Sequence, residues 1–202
     1  LSVSMHAVNM ANVKQGDKVL VYGAGTIGLA AVAALRSKGV TDIIVSDIND
    51  FKLGFAKKLG AIPFNSMEKS LPDFVKATWG TLTGNASEAT WNADAVLDCA
   101  GAPHILKEFM DNAKTNSTFV EVAINMKPSE LSLFWLLAKE VVLKGSRGYV
   151  PQDILQSIEA LNSPDCRLKD IVTHTFSLDE LPQAFETASD PNKAVKVAIK
   201  HG

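Results

Sequence analysis

The sequence of 202 residues predicts an α/β fold in which helices cover both faces of a parallel β-sheet. Apolar runs of strand length alternate along the chain with segments of helical periodicity. The apolar runs show no polar alternation, which is typical of strands buried on both faces. A glycine-rich turn joins the first run to the first helical segment. We therefore expect a doubly wound parallel sheet.

The predicted strands and helices alternate from residue 19 to residue 145. Six strands are predicted, at 19–22, 42–46, 62–64, 93–98, 118–124 and 141–145. Helices are predicted at 26 to about 38, 51–59, 71–79, and from Pro103 to about 113. Residues 80–90 are rich in Gly, Thr, Ser and Asn and are predicted to form a loop.

The last fifty residues follow a different pattern. A helix is predicted at 152–161, an extended segment at 170–176, a second helix at 178–188 and a strand at 194–200. Because these elements are few and short, we expect a helix/strand extension that lengthens or flanks the sheet.

Composition limits the classes of function. Hydrophobic residues make up 47% of the chain and charged residues 21%, which supplies a core and argues against disorder. A formal net charge of −2 gives no basic footprint for a nucleic-acid partner. Cys99 and Cys166 form no C-x-x-C motif, and with no signal peptide pattern they indicate a reducing cytoplasm. The uncharged stretch 19–35 is broken by glycines, so we expect a strand and a helix and no membrane partner.

The glycine turn has the G-x-G-x-x-G spacing at a junction between a strand and a helix. It consists of Gly23, Ala24, Gly25, Thr26, Ile27 and Gly28. Gly23 would allow the sharp turn, Gly25 the close approach of a pyrophosphate, and Gly28 the packing of helix on strand. The free N–H groups of the following helix favour an anion. This context predicts a dinucleotide site on a Rossmann-type sheet, the alternative being a glycine turn without a ligand.

Asp47 selects among the possible cofactors. It closes the second predicted strand, 24 positions after Gly23. A carboxylate there accepts hydrogen bonds from both hydroxyls of the adenosine ribose and repels the 2′-phosphate of NADP. The sequence therefore predicts NAD, unless Asp47 is only a strand-end or N-cap residue.

Nearly the whole chain resembles the cofactor-binding part of the medium-chain dehydrogenase/reductase family, in its zinc-dependent alcohol and polyol dehydrogenase branch. The matching blocks are 1–7, 14–28, 47–49, 59–61, 139–146 and 174–180. The resemblance implies a Rossmann domain at residues 1–150, entered through a linking helix. Residues 151–202 would be the extension, which packs on that domain and returns towards a catalytic domain.

The resemblance also implies a path for the cofactor across the carboxyl ends of the strands. Thr26 and Ile27 would cover the pyrophosphate, Ile48 would flank the adenine, and Lys52 would approach the adenosine ribose. The remaining predicted contacts follow three later strands: Cys99, Ala100 and Gly101 on the adenine and ribose side, the backbone of Val122, Ala123 and Ile124 at the nicotinamide carboxamide, and Ser146 and Arg147 at the nicotinamide end. For the apolar residues, packing at a strand end is an equally open reading.

The family holds its catalytic zinc upstream of the cofactor domain. The chain starts at Leu1, which is not an initiator Met, so we expect an excised domain whose zinc ligands lie elsewhere. The remaining candidates, none at zinc-ligand spacing, are His6, His104, His174, His201, Cys99 and Cys166. We expect His6 to be a structural helix residue. His104, after Pro103 at a helix start, could approach the cofactor, but we favour a solvated helix end for it. Cys99 as a nucleophile would need a base, for which only His104 is near in sequence.

The resemblance implies an NAD-dependent, zinc-assisted parent enzyme that oxidises a secondary alcohol or polyol, with this chain alone inactive. The alternatives are a zinc-free quinone or enoyl-type reductase and a regulatory module that binds a dinucleotide without chemistry. A homodimer or homotetramer is also expected. The segment 127–133 contains the alternating stretch Leu131-Ser132-Leu133, which is predicted to form a sheet edge open to a second copy.

Overall fold

The computed structural model describes residues 1–84, 88–164 and 166–201. Its strands are β1 (Lys18–Tyr22), β2 (Asp42–Asp47), β3 (Ile62–Asn65), β4 (Thr81–Thr83), β5 (Ala89–Trp91), β6 (Ala95–Asp98), β7 (Thr118–Glu121), β8 (Val142–Gly145), β9 (Val172–Ser177) and β10 (Lys196–Lys200). Its α-helices are α1 (Ser2–Ala11), α2 (Thr26–Ser37), α3 (Asp50–Lys58), α4 (Leu71–Trp79), α5 (Ile105–Asn112), α6 (Leu133–Lys139), α7 (Pro151–Asn162) and α8 (Leu181–Ser189). Short 3₁₀ helices cover Leu168–Ile171 and Leu178–Glu180.

The central sheet has six strands in the order β3-β2-β1-β6-β7-β8. Every neighbouring pair in it is parallel. The direction in which strands are added reverses between β1 and β6, and this reversal opens a crevice at the carboxyl ends of the two strands. The predicted Rossmann-type doubly wound sheet is confirmed.

Helices bury both faces of this sheet, as the unbroken apolar runs predict. Val19 and Val21 of β1 face a core shared with α1, α2 and α7. Leu20 and Tyr22 face the opposite core, which contains Phe109 of α5. Because successive side chains of a strand point to opposite faces, one apolar run supplies both cores.

The stretch 19–35, with its uncharged composition, forms β1, the glycine turn and most of α2. In the described part of the chain, no helix combines the length and the apolar character needed to cross a bilayer.

Several elements differ from the prediction. Most of the predicted loop at 80–90 belongs to the antiparallel pair β4–β5, which ends at the buried Trp91; residues 85–87 lie outside the described part. These strands are shorter than any periodic window that could reveal them. The strand predicted to reach residue 124 ends at Glu121, because the N–H groups of Val122 and Ala123 both donate to the Asp98 carbonyl. The helix predicted from Pro103 begins at Ile105, after a turn closed by the N–H of Ile105 on the Ala102 carbonyl.

The prediction of a strand edge at 131–133 is wrong. Ser132 is the N-cap of α6, and its hydroxyl accepts a hydrogen bond from the N–H of Trp135 at 3.3 Å. Leu133 is already helical. An alternation of three residues is too short to outweigh a hydroxyl cap followed by good helix formers. The outer strand of the sheet on this side is β8.

The C-terminal elements flank the main sheet. β9 and β10 pair in parallel as a separate two-stranded sheet, which α8 contacts. α7 packs on α1 and α2, and Ala160, Leu168 and Ile171 enter their core. α7 and the 3₁₀ helix at Leu168–Ile171 therefore pack on the same face of the main sheet as α1 and α2.

Candidate functional site

The glycine turn lies at the carboxyl end of β1, next to the point where the strand order reverses. Gly23 adopts a φ of +92°, and its N–H donates to the Ser46 carbonyl at 2.7 Å. A Cβ at this position would lie 3.2 Å from the carbonyl carbon and oxygen of Cys99. Backbone conformation and close packing therefore both require glycine here.

The other two glycines of the motif differ sharply in their surroundings. A Cβ on Gly28 would overlap the carbonyl oxygen of Gly23, so α2 packs directly on the turn. A Cβ on Gly25, the N-cap of α2, would meet no atom within 4 Å. The space above Gly25 is open, and the first N–H groups of α2 lie beside it.

Asp47 connects β2 to the glycine turn. Its Oδ2 accepts a hydrogen bond from the N–H of Ala24 at 2.6 Å, and its Oδ1 accepts one from the N–H of Asn49 at 2.9 Å. The reading of Asp47 as an N-cap is wrong, because Asn49 caps α3 by accepting from the N–H of Lys52. Each carboxylate oxygen of Asp47 keeps a second lone pair for another donor.

A cleft of about 790 Å³ opens at this edge of the sheet. Seven of the residues predicted to contact the cofactor line it: Gly23, Gly25, Asp47, Ile48, Lys52, Cys99 and Ala100. Sequence reasoning missed a wall formed by Ser66, Met67 and Lys69. A second wall is formed by His104, Ile105 and Glu108, of which the sequence analysis named only His104 as able to approach the cofactor. The first wall follows β3 and the second starts α5, so the rule that sites form at the carboxyl ends of strands could have found both.

The other predicted contacts do not line this cleft. Ala24 and Gly101 lie in turns beside it, and Thr26, Ile27 and Gly28 form the first turn of α2. Val122, Ala123, Ile124, Ser146 and Arg147 follow β7 and β8 further along the same edge. Ile124 is 92% exposed. Near this end of the sheet, Glu121 Oε1 and Ser146 Oγ are buried without a hydrogen-bond partner in the described structure. Buried polar atoms left unpaired are costly, so a bound polar group would satisfy them.

The carboxyl group of Asp98 organises the turn after β6. It is 2% exposed, and its Oδ1 accepts from the N–H groups of Ala100 and Gly101 at 2.9 and 2.8 Å. Burial raises the pKa of Asp98 and these hydrogen bonds oppose the rise, leaving the pKa above its usual value. Burial, and secondarily the charge of Asp98, raises the pKa of Glu121 to about 7.

Cys99 and Tyr22 are both held in their protonated forms. Burial and the nearby Asp98 and Glu121 carboxylates raise the pKa of the Cys99 thiol, so it does not supply the thiolate that a nucleophile needs. Burial also raises the pKa of Tyr22 well above its usual value, and its hydroxyl donates to Glu108 Oε1 at 2.6 Å.

The segment 191–195 lies against the glycine turn and the end of β2. The Thr26 hydroxyl donates to the Val195 carbonyl at 3.1 Å. The Asn49 amide donates to the Pro191 carbonyl at 3.1 Å and to Asn192 Oδ1 at 2.7 Å. Pro191 also lines the cleft, so the C-terminal segment borders the site from the side of α2.

The remaining candidate side chains are dispersed. His6 Nδ1 lies 2.8 Å from Asp153 Oδ2, which links α1 to α7, whereas His174 Nδ1 lies 3.0 Å from the hydroxyl of Thr173 and His201 is exposed. His104 lines the cleft and Cys166 packs against the core of α1 and α2. Within the described ranges, no group of three His, Cys, Asp or Glu side chains is placed to hold a metal ion.

Residues 26–163 match the model of the family described as zinc-binding dehydrogenase. Sorbitol dehydrogenase 1 of Saccharomyces cerevisiae is 30% identical over 190 residues, which are 92% of this chain and 52% of that protein. An alcohol dehydrogenase of Escherichia coli CFT073 solved with NADH is 27% identical, with a TM-score of 0.84 over 97% of this chain and 56% of that one. A zinc-binding dehydrogenase of Sinorhizobium meliloti solved with NADP is 25% identical, with a TM-score of 0.79 over 98% and 57% of the two chains. The chain spans about half the length of these relatives.

Proposed function

The chain belongs to the zinc-binding dehydrogenase family, and we propose that it is the NAD(H)-binding domain of an oxidoreductase that acts on a secondary alcohol or polyol. The observation that carries this proposal is the glycine turn at the reversal of strand order, with open space above Gly25 and a large cleft beside it. Similarity to a sorbitol dehydrogenase supports the substrate class. The domain would act with a small-molecule alcohol and with a catalytic zinc held by residues outside this chain.

The residues at the carboxyl ends of the central strands could bind the two halves of a dinucleotide. We propose that the 23–28 turn takes the pyrophosphate, while Asp47, Ile48 and Lys52 take the adenosine with residues 99–101. Residues 122–124, 146 and 147 would take the nicotinamide half. The unpaired Glu121 Oε1 and Ser146 Oγ at that end support the assignment, because an amide-bearing ligand can pair with both.

When bound, nicotinamide accepts a hydride from the alcohol carbon. In this proposal the residues of this chain bind and orient the cofactor. Asp47 holds the N–H groups of Ala24 and Asn49, and Asp98 holds those of Ala100 and Gly101, so two carboxylates make both turns rigid. A turn that is rigid before binding loses less entropy when the ligand arrives.

We also propose the division of the parent protein. Residues 1–150 would be the cofactor domain with α1 as its linking helix, and residues 151–202 would return towards the catalytic domain. Exposed apolar side chains of the C-terminal helices support a further covering element: Leu155 and Ile158 on α7, and Phe185 on α8. The two free cysteines support a reducing, cytoplasmic location.

NAD is the proposed cofactor, with Asp47 as the selector. Replacing Asp47 by asparagine keeps an acceptor oxygen for the glycine turn but removes the charge. We expect the variant to bind NAD about tenfold more weakly, since hydrogen bonds to charged groups contribute about 1.5–3 kcal/mol. NADP should bind as well or better, because the repulsion of its 2′-phosphate is gone.

Calorimetric titration of both nucleotides into both proteins measures this. Asp50→Asn is the matched control, because Asp50 pairs with Asn65 on the surface and should leave the NAD-to-NADP ratio alone. An equal ratio in wild type and Asp47→Asn would remove the support for NAD. Failure of the wild type to bind either nucleotide would contradict the proposed function itself.

We propose that the parent is a homodimer or homotetramer that pairs through β8 and α6. β8 is an outer strand of the sheet, and an unpaired edge invites a second chain. Beside it α6 exposes Leu133, Phe134 and Leu137. We expect Leu137→Glu to dissociate the assembly in sedimentation experiments, whereas Leu155→Glu on α7 should leave this pairing intact. A Leu137→Glu variant that sediments like the wild type would argue against this surface.

A further inference from the structure

Glu121 is a charged side chain near the site whose Oε1 is buried without a hydrogen-bond partner among the described residues. It ends β7, and in the parallel register of the sheet it lies beside Asp98 at the end of β6. Phe119, two positions earlier, packs in the core on the α5 side, so Glu121 points to the same face. Two carboxyl groups therefore lie side by side at the carboxyl end of the central strands.

The two carboxyl groups have unequal partners. Asp98 Oδ1 receives two backbone N–H groups, whereas Glu121 Oε1 is buried and unpartnered among the described residues. The backbone of Glu121 is held in place, because its carbonyl accepts from the N–H of Ser146 at 2.8 Å. The backbone of Glu121 is thus fixed at the carboxyl end of β7, and the buried Oε1 keeps its lone pairs for another donor.

The other titratable groups near Glu121 do not neutralise its charge. Cys99 follows Asp98 and carries a protonated thiol. From the α5 side, His104 lies near Asp98, and Glu108 accepts the hydrogen bond of the Tyr22 hydroxyl. From the β8 side comes Arg147, which is exposed. None of the salt bridges among the described residues involves Glu121, so its charge has no close cationic partner there.

The next residues along the chain are 122–124, which the proposed function assigns to the nicotinamide end, and this inference rests on that assignment. The oxidised nicotinamide ring carries a positive charge, and the reduced ring is neutral. An anionic Glu121 therefore attracts the oxidised ring selectively. The pyrophosphate is common to both forms, so its repulsion by Glu121 cancels in the ratio of their affinities.

We propose that Glu121 is a specificity-determining residue that sets, through its charge, the affinity of the site for the oxidised relative to the reduced nicotinamide. The pKa of about 7 means that this charge changes in the physiological range. Below that pH the carboxyl is neutral and the preference is lost. Above it the carboxylate forms, and the preference for the oxidised cofactor rises. By linkage, binding of the oxidised form near neutral pH releases a proton.

The test uses the full-length parent protein. NAD⁺ and NADH are titrated at about pH 6 and about pH 8, on either side of the Glu121 pKa of about 7. We expect the ratio of the NADH to the NAD⁺ dissociation constant to rise about fivefold to thirtyfold with pH, as for charges in a partly buried site. In Glu121→Gln the ratio should stay at its low-pH value.

Two further proteins make the result decisive. If the amide of Glu121→Gln disturbs folding, Glu121→Leu serves in its place. It replaces the carboxyl by an apolar group of similar size and should also lack the pH dependence. Glu186→Gln, on the exposed surface of α8, should keep the wild-type pH dependence. A wild type that binds both forms with a ratio independent of pH, or with the same dependence in Glu121→Gln, overturns the inference and leaves the proposed function standing. A wild type that binds neither form overturns the proposed function.

Discussion

Replacing Gly28 by alanine should destabilise the protein by about 3 kcal/mol or more, at or beyond the upper end for overpacked sites. The new Cβ would overlap the carbonyl oxygen of Gly23, which is backbone and has no alternative rotamer. Relief requires α2 to move away from β1, and both elements are packed in the core of the sheet. Urea unfolding measures the loss as a lower midpoint with an unchanged slope.

Gly25→Ala is the matched control within the same motif. Gly25 has a φ of −73°, which any residue adopts, and its Cβ would enter open space. We expect little change in stability, but weaker dinucleotide binding, because the methyl group would occupy the proposed path of the pyrophosphate. A Gly28→Ala protein within about 1 kcal/mol of wild type would show that the helix tolerates displacement.

Replacing Asp153 by alanine should cost about 3 kcal/mol, because it removes a buried carboxylate that several partly buried donors share. Asp153 is 2% exposed. Its carboxylate accepts from the N–H of Val150 at 2.7 Å and from the Asn9 amide at 2.6 Å, and it contacts His6 Nδ1. The network ties α1 to the N-terminus of α7, so the variant should loosen α1. Hydrogen exchange in α1 and urea unfolding measure the two effects.

The same network gives stability a defined dependence on pH. Burial raises the pKa of Asp153, but the hydrogen bonds from Val150, Asn9 and His6 outweigh it and hold the pKa below its usual value. Since the folded pKa is lowered, the contribution to stability is present above the unfolded value of about 3.9 and is lost as the pH falls through the folded pKa. Asp153→Ala should lack this acid-dependent loss.

Asp170→Ala is the control, because its carboxylate makes an exposed ion pair with Arg167. Surface pairs contribute about 1 kcal/mol or less, so this variant should unfold close to wild type. If Asp153→Ala and Asp170→Ala unfolded at the same urea concentration, the buried network would have no special role in stability.

The sequence alone determined the architecture of the sheet and the position of the glycine turn. Local pattern suffices for both, since an apolar run without alternation implies burial on both faces, and the spacing of Gly23, Gly25 and Gly28 requires a strand-to-helix turn. The sequence could not place short elements such as β4, because three residues carry too little periodicity. It also misread Leu133, where a helix cap competed with a brief alternation.

Only the tertiary structure decided which distant side chains meet. His6 and Asp153 are 147 positions apart, and Lys139 is fully buried with its ammonium donating to the carbonyls of Met110 and Asp111 at the end of α5. Glu121 lies beside Asp98 because β7 follows β6 in the strand order, which no local pattern states. Periodicity encodes which face of an element is buried, but the order of strands decides what that face meets. The altered chemistry of Glu121 therefore arises from topology and burial, not from its neighbours in sequence.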